Sequence, residues 1–149
     1  MPTLTECLQR DHRRLDAILT ESKAHAAAGR FSDAADRFTT FLQGLERHID
    51  AEEDVLFPAL SEQAPQMGGP MGVMRAEHIE IRDLMATLAI ALATSDPTWR
   101  STVCALEEVL SGHNIKEERV LYPTADEALG GAPDVDALSA KLSGRVGAH

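Results

Sequence analysis

The 149 residues carry 24 acidic against 14 basic side chains, a formal charge of -10 with no basic cluster, which argues against a nucleic-acid backbone or an anionic membrane surface as partner. Aromatic residues make up only 4% while Ala and Leu abound, a balance that favours packed helices over sheet. No run of about 18 apolar residues occurs, and the opening MPTLTECLQRDHRRLD is amphipathic and charged rather than a secretory signal, so the cytoplasm is the expected compartment.

The pattern predicts four long amphipathic helices in one domain spanning residues 1–149, with a core over 4–128 and a C-terminal segment over 129–149. The first helix runs from Leu4 to Ala28, aligns Leu4, Leu8, His12, Leu15 and Leu19, and stops at Gly29. The second, capped by Ser32, presents Phe38, Phe41, Leu45, His48, Glu52 and Val55 until Pro58 disturbs it. SEQAPQMGGP then reads as a loop whose Gly and Pro content forbids helix. The third helix, Met71 to Ala93, aligns Met71, Met74, His78, Ile81, Met85 and Leu88. After TSDP, with Asp96-Pro97 as a start signal, the fourth presents Val103, Leu106, Leu110, His113, Glu117 and Val120 before Pro123. A short terminal helix is expected from Asp134 to about Leu142.

The chain repeats itself. HIDAEEDVLFP at His48 returns as HNIKEERVLYP at His113, and DHRRLDAIL around His12 is echoed by EHIEIRDLM around His78, so two similar helical hairpins follow one another. The numbering tests how they align. His12 precedes Gly29 by 17 positions and His48 follows Phe31 by 17; His78 precedes Ser95 by 17 and His113 follows Asp96 by 17. In an antiparallel bundle all four histidines therefore fall in one layer, roughly 26 Å from the turns. Glu52 and Glu117, four residues after their histidines, point the same way one turn further on. A single histidine on an apolar stripe is usually a satisfied core residue. Four level histidines with two symmetry-related glutamates would bury unpaired carboxylates at several kcal/mol each unless a cation joined them.

Six candidate ligands, His12, His48, Glu52, His78, His113 and Glu117, exceed the four of a structural zinc site and include no thiolate. Zinc fits poorly; mixed imidazole and carboxylate sets suit iron or manganese, and a bundle core is the usual setting of a two-metal carboxylate site. From about Leu4 to Pro123 the chain resembles the hemerythrin-like, or HHE cation-binding, proteins, with one histidine on helices one and three and His-x-x-x-Glu on helices two and four. That resemblance implies an antiparallel up-down-up-down four-helix bundle holding two iron ions joined by an oxo or hydroxo group, with Glu52 and Glu117 bridging and the four histidines as terminal ligands. The sequence departs from the oxygen carriers of the family: Arg82 stands where their third helix bears a second histidine, and Glu117 replaces an Asp one residue further along. Two six-coordinate irons would then keep two open positions, which argues against reversible oxygen carriage and for attack by oxygen, peroxide or nitric oxide. The ligand pattern is most similar to that of di-iron proteins that repair damaged iron centres under nitrosative stress. Those usually carry an additional amino-terminal domain with a cysteine, whereas only 11 residues precede His12 here. The expected partners are small diatomic or peroxide ligands, and iron storage or delivery is the alternative use of such a site.

Neighbouring residues receive lesser expectations. Val55, Leu56, Val120 and Leu121 should roof the metal layer with apolar surface. Tyr122, five positions after Glu117, lies about 140° round an ideal helix and should face away unless Pro123 twists the end. Its equivalent Phe57 has no hydroxyl, which favours packing as the shared role. Glu53 and Glu118 are expected to be solvated or to support the ligands, and His25 and His149 to be outside the site. Cys7 and Cys104 should be small, at least partly buried thiols; they lie on opposite sides of the metal layer, about 21 Å apart along the axis, too far to pair.

Overall fold

A computed structural model describes residues 3–130 and 135–146, and every regular element in it is helical. Helix α1 (Leu4–Ala27) opens with a capping box in which Glu6 N–H donates to Thr3 Oγ1 at 3.1 Å and Thr3 N–H donates to the Glu6 carboxylate at 3.2 Å. It ends as expected at Gly29, whose φ of 78° lies in the left-handed region that glycine enters without strain. Helix α2 (Phe31–Ala51) starts one residue before the expected cap: Ser32 lies inside it, and Arg30 holds the cap position with no side-chain hydrogen bond.

Pro58 does not end this helix. Residues Glu52–Leu56 widen into a π-helix, closed by Phe57 N–H donating to the Glu52 carbonyl, and the rod continues as α3 (Phe57–Gln63). The second hairpin repeats the device. After α5 (Trp99–Lys116), the π-turn Glu117–Leu121 is closed by Tyr122 N–H donating to the Glu117 carbonyl, and α6 (Tyr122–Leu129) follows. In both rods a proline stands second after the π-turn. It supplies no N–H and its ring crowds the carbonyl one α-turn back, and a wider turn relieves that crowding without breaking the rod.

The expected loop SEQAPQMGGP is largely helical. Ser61–Gln63 complete α3, Pro65–Met67 make a 3-10 turn, and Gly68 to Pro70 already form the first turn of α4 (Gly68–Ala93). First-turn N–H groups have no partner within a helix, so proline costs little there, unlike in the interior. At the next turn Asp96 Oδ1 accepts from the Thr98 N–H and hydroxyl, both at 2.9 Å, before α5 begins. The expected terminal helix is present as α7 (Val135–Arg145); Asp134 lies outside the described residues.

α1 packs along α2, α4 along α5, and α2 along α4, making the antiparallel bundle. Two apolar clusters fill it. One, towards the hairpin turns, includes Leu15, Phe38, Phe41, Met85, Leu88 and Leu106; the other includes Leu8, Leu56, Phe57, Met71, Leu121 and Tyr122, and is closed by Leu142 and Val146 at the end of α7. Between them lies a layer of buried polar groups, Asp11, His12, His48, Glu52, His78, His113 and Glu117. Among the described residues no helix is long and apolar enough to cross a membrane.

Candidate metal centre

Each hairpin contributes one histidine from its first helix and a histidine with a glutamate from its second, so the layer is assembled by the pairing that the repeat implies. Ring centroids of His12 and His48 are 4.6 Å apart, and those of His78 and His113 4.9 Å. The six expected side chains converge as two overlapping groups, His12, His48, Glu52 and Glu117 in one and Glu52, His78, His113 and Glu117 in the other, with the ligand atoms of each group within 4.8 Å of one another. The glutamates belong to both. His78 Nε2 lies 3.1 Å from Glu52 Oε1 and His12 Nε2 lies 3.2 Å from Glu117 Oε1, so each carboxylate reaches from its own hairpin to the other.

All four imidazoles are held by a carboxylate on the nitrogen facing away. His48 Nδ1 donates to Asp11 at 2.8 Å, His113 Nδ1 to Glu77 at 2.9 Å, His12 Nδ1 to Glu118 at 3.0 Å and His78 Nδ1 to Glu53 at 2.5 Å. A carboxylate only accepts, so Nδ1 carries a proton in each ring, and Nε2 is the nitrogen turned to the centre, where it could bind a metal when it carries no proton. The supporting role expected of Glu53 and Glu118 is what the geometry places there. Asp11 and Glu77 were not anticipated, although each directly precedes a repeat histidine. Arg82 is outside the layer, bridging Glu46 at 3.0 Å and Asp50 at 3.1 Å on α2.

Two expectations fail at the π-turns. Val120 is 52% exposed and Val55 only half-buried, so of these four residues only Leu56 and Leu121 are fully buried. Tyr122 does not face away: it is fully buried, and its Oη lies 2.6 Å from Glu52 Oε2, 3.0 Å from Glu117 Oε1 and 3.2 Å from Nε2 of both His12 and His48. A π-turn advances less angle per residue than an α-turn, so position i+5 returns over position i. Of the thiols, Cys7 is half-buried but Cys104 is exposed, and both are free. His25 is half-buried at the end of α1, where it accepts from Arg30 Nε at 3.2 Å, and His149 lies outside the described residues.

Charge in this layer is balanced by protons. Burial opposes charging His48, but Glu52 and the hydrogen bond to Asp11 prevail and raise its pKa to about 10; His113, against the same opposition from burial, is raised to about 9 chiefly by Glu117. Burial would also raise the Glu52 pKa, yet its pairing with Glu117 and the charge on His48 hold it well below the ordinary carboxylate value. Burial and then the charges of Glu117 and Glu52 push the Tyr122 hydroxyl well above a free phenol. Even so, Glu52 Oε1, Glu117 Oε2 and His78 Nε2 are buried with no hydrogen-bond partner. These three converging, unpartnered atoms, backed by four oriented imidazoles, belong to a donor set that fits a metal of the kind expected.

Fold and layer together define a four-helix bundle with a buried histidine and glutamate metal centre. The chain belongs to the hemerythrin HHE cation-binding domain family, whose model matches residues 3–140. Among curated relatives, the iron-sulfur cluster repair protein YtfE of Escherichia coli O139:H28 (strain E24377A / ETEC) and that of Shigella boydii serotype 18 (strain CDC 3083-94 / BS512) are each 27% identical over 114 residues, covering 69% of this chain and 52% of theirs. The chain thus spans about half the length of the curated relatives it matches. No solved structure gives a significant match.

Proposed function

We propose that the chain is a non-haem di-iron protein that binds or reacts with oxygen, peroxide or nitric oxide in oxidative or nitrosative stress. The observation that carries this reading is the sharing of Glu52 and Glu117 between two groups, each completed by its own pair of histidines. Two carboxylates common to two histidine pairs suit two adjacent ions better than one. His12, His48, His78 and His113 would be terminal ligands, and Glu52 and Glu117 would bridge. A bound iron pair supplies adjacent Lewis-acidic, redox-active positions for a diatomic or peroxide ligand.

The protein's own part is orientation and exclusion. Asp11, Glu53, Glu77 and Glu118 hold the rings, and the apolar clusters on either side keep bulk water from the layer. A second reading, repair of iron-sulfur centres or iron delivery, draws support from the name of the YtfE relatives.

The two readings part in one experiment. The anaerobically reduced, iron-loaded chain is mixed separately with oxygen, nitric oxide and peroxide while its optical spectrum is followed, and then incubated with a metal-free iron-sulfur protein. The first reading predicts a spectral change with at least one small ligand while iron stays bound. Silence towards all three, with iron passing to the acceptor, favours the second; a stable, reversible oxygenated form would contradict the argument from open positions.

A further inference from the structure

The two halves of the centre carry the same ligand types but differ in what caps them. Nine residues after His48 stands Phe57, and nine after His113 stands Tyr122. Both are fully buried, and both are delivered by the π-turns. Phe57 lies parallel to the His78 ring, with centroids 6.1 Å apart and an interplanar angle of 1°, and has no atom able to ligate. Tyr122 crosses to the other half and places Oη among the donor atoms of His12, His48, Glu52 and Glu117, at 2.6 to 3.2 Å from each. Donors that share one ion at about 2.0–2.2 Å stand roughly 3 Å from each other, which is the spacing Oη adopts.

A phenol hydroxyl donates one hydrogen bond and accepts up to two, and Glu52 Oε2 at 2.6 Å takes the donated one. Four inward-facing ligand atoms surround the oxygen, and Glu117 Oε1 at 3.0 Å is a second acceptor for a single proton. The unpartnered atoms have a different distribution. His78 Nε2 and Glu52 Oε1, 3.1 Å apart, lie in the half that Phe57 caps, Glu117 Oε2 is the layer's third, and neither His12 nor His48 is among them.

We infer that Tyr122 is a seventh ligand, its phenol oxygen closing the His12 and His48 subsite, and that the position open to an exogenous ligand lies at the His78 and His113 subsite beside Phe57. The inference rests on the di-iron reading above; it reduces its two open positions to one, and with one open position the count no longer argues against reversible oxygen binding. The repeat thus yields a pseudo-symmetric frame whose halves do different work: one is saturated by the protein, the other receives the ligand. On binding metal the phenol would release its proton to the solvent, and the oxygen that donates to Glu52 in the metal-free chain would then donate an electron pair to the ion.

The test uses the full chain loaded with ferric iron, with iron counted first. A phenolate on ferric iron has a visible charge-transfer band and resonance-enhanced ring vibrations. Both are expected in the wild type and absent from Tyr122→Phe while its two irons remain. Azide is the probe of the open position: Phe57→Tyr should add a second phenolate signal and lose azide binding, whereas Tyr122→Phe should retain it. Two bound irons with no phenolate signal in the wild type, or a signal that survives Tyr122→Phe, would overturn the ligand assignment. Unchanged azide binding in a Phe57→Tyr chain that shows the second signal would overturn the placement of the open position. A chain that takes up no iron refutes the di-iron reading itself, and this inference with it.

Discussion

Each imidazole in the layer has one nitrogen committed outward and one aimed inward. Asp11 serves His48 and Glu77 serves His113 from the first helix of each hairpin, while Glu53 serves His78 and Glu118 serves His12 from the other hairpin's second helix. Such partners fix the ring and raise its basicity, and their loss costs about 10–100-fold in metal affinity. Asp11→Asn and Glu77→Gln are therefore expected to weaken metal binding by about that factor in competition with a chelator, with the fold retained; unchanged affinity in both would remove the supporting role. The six inner residues were legible because helix arithmetic converts sequence spacing into height and face. Their outer partners were less so: a carboxylate beside a ligand on the sequence can turn to its own helix's neighbour, and only packing decides which. Tyr122 was misplaced for a different reason, which belongs to the helix that carries it.

At the scale of elements, the π-turn is what a reading with a constant 3.6-residue period cannot anticipate. Pro58 and Pro123 were read as disturbances, and they do mark one, but the disturbance is a widening upstream rather than an end. Everything after the glutamate is then rotated: Val120 turns to solvent, Leu121 stays inside, and Tyr122 returns to the centre. Gly68, Gly69 and Pro70, whose composition reads as loop, form the first turn of α4, which accommodates them. Stability measurements can distinguish the two registers. Val120→Ser should change unfolding free energy by no more than about 0.5 kcal/mol, as for an ordinary surface site, whereas Leu121→Ala should cost about 2–5 kcal/mol. Equal and large losses at both positions would restore the ideal helical register and remove the π-turn.

The whole molecule is a bundle with a charged layer between two apolar clusters, and this arrangement ties its stability to protons and metal. His48 and His113 have folded pKa values of about 10 and about 9, above the 6.5 of an unperturbed imidazole, so in the metal-free chain their contribution is complete below pH 6.5 and is lost as pH rises through those values. Glu52 is shifted the other way: its contribution is present above pH 4.5 and is lost as pH falls through its depressed folded value. Thermal unfolding of chelator-treated protein should therefore show stability declining from pH 6.5 towards 10. With metal bound, the inner nitrogens no longer need protons, so that decline should largely vanish. Metal-free stability that rises over the same interval would contradict the ion-pair network. The central proposal is that the layer holds two ions on six side chains, of which Glu52 and Glu117 are shared, and counting is its most direct test. Iron and other metals are measured in the purified, iron-reconstituted chain and in its His78→Ala and Glu117→Ala variants. The account predicts two irons per wild-type chain and loss of metal in both variants; one zinc per chain, or occupancy unaffected by both substitutions, would contradict it.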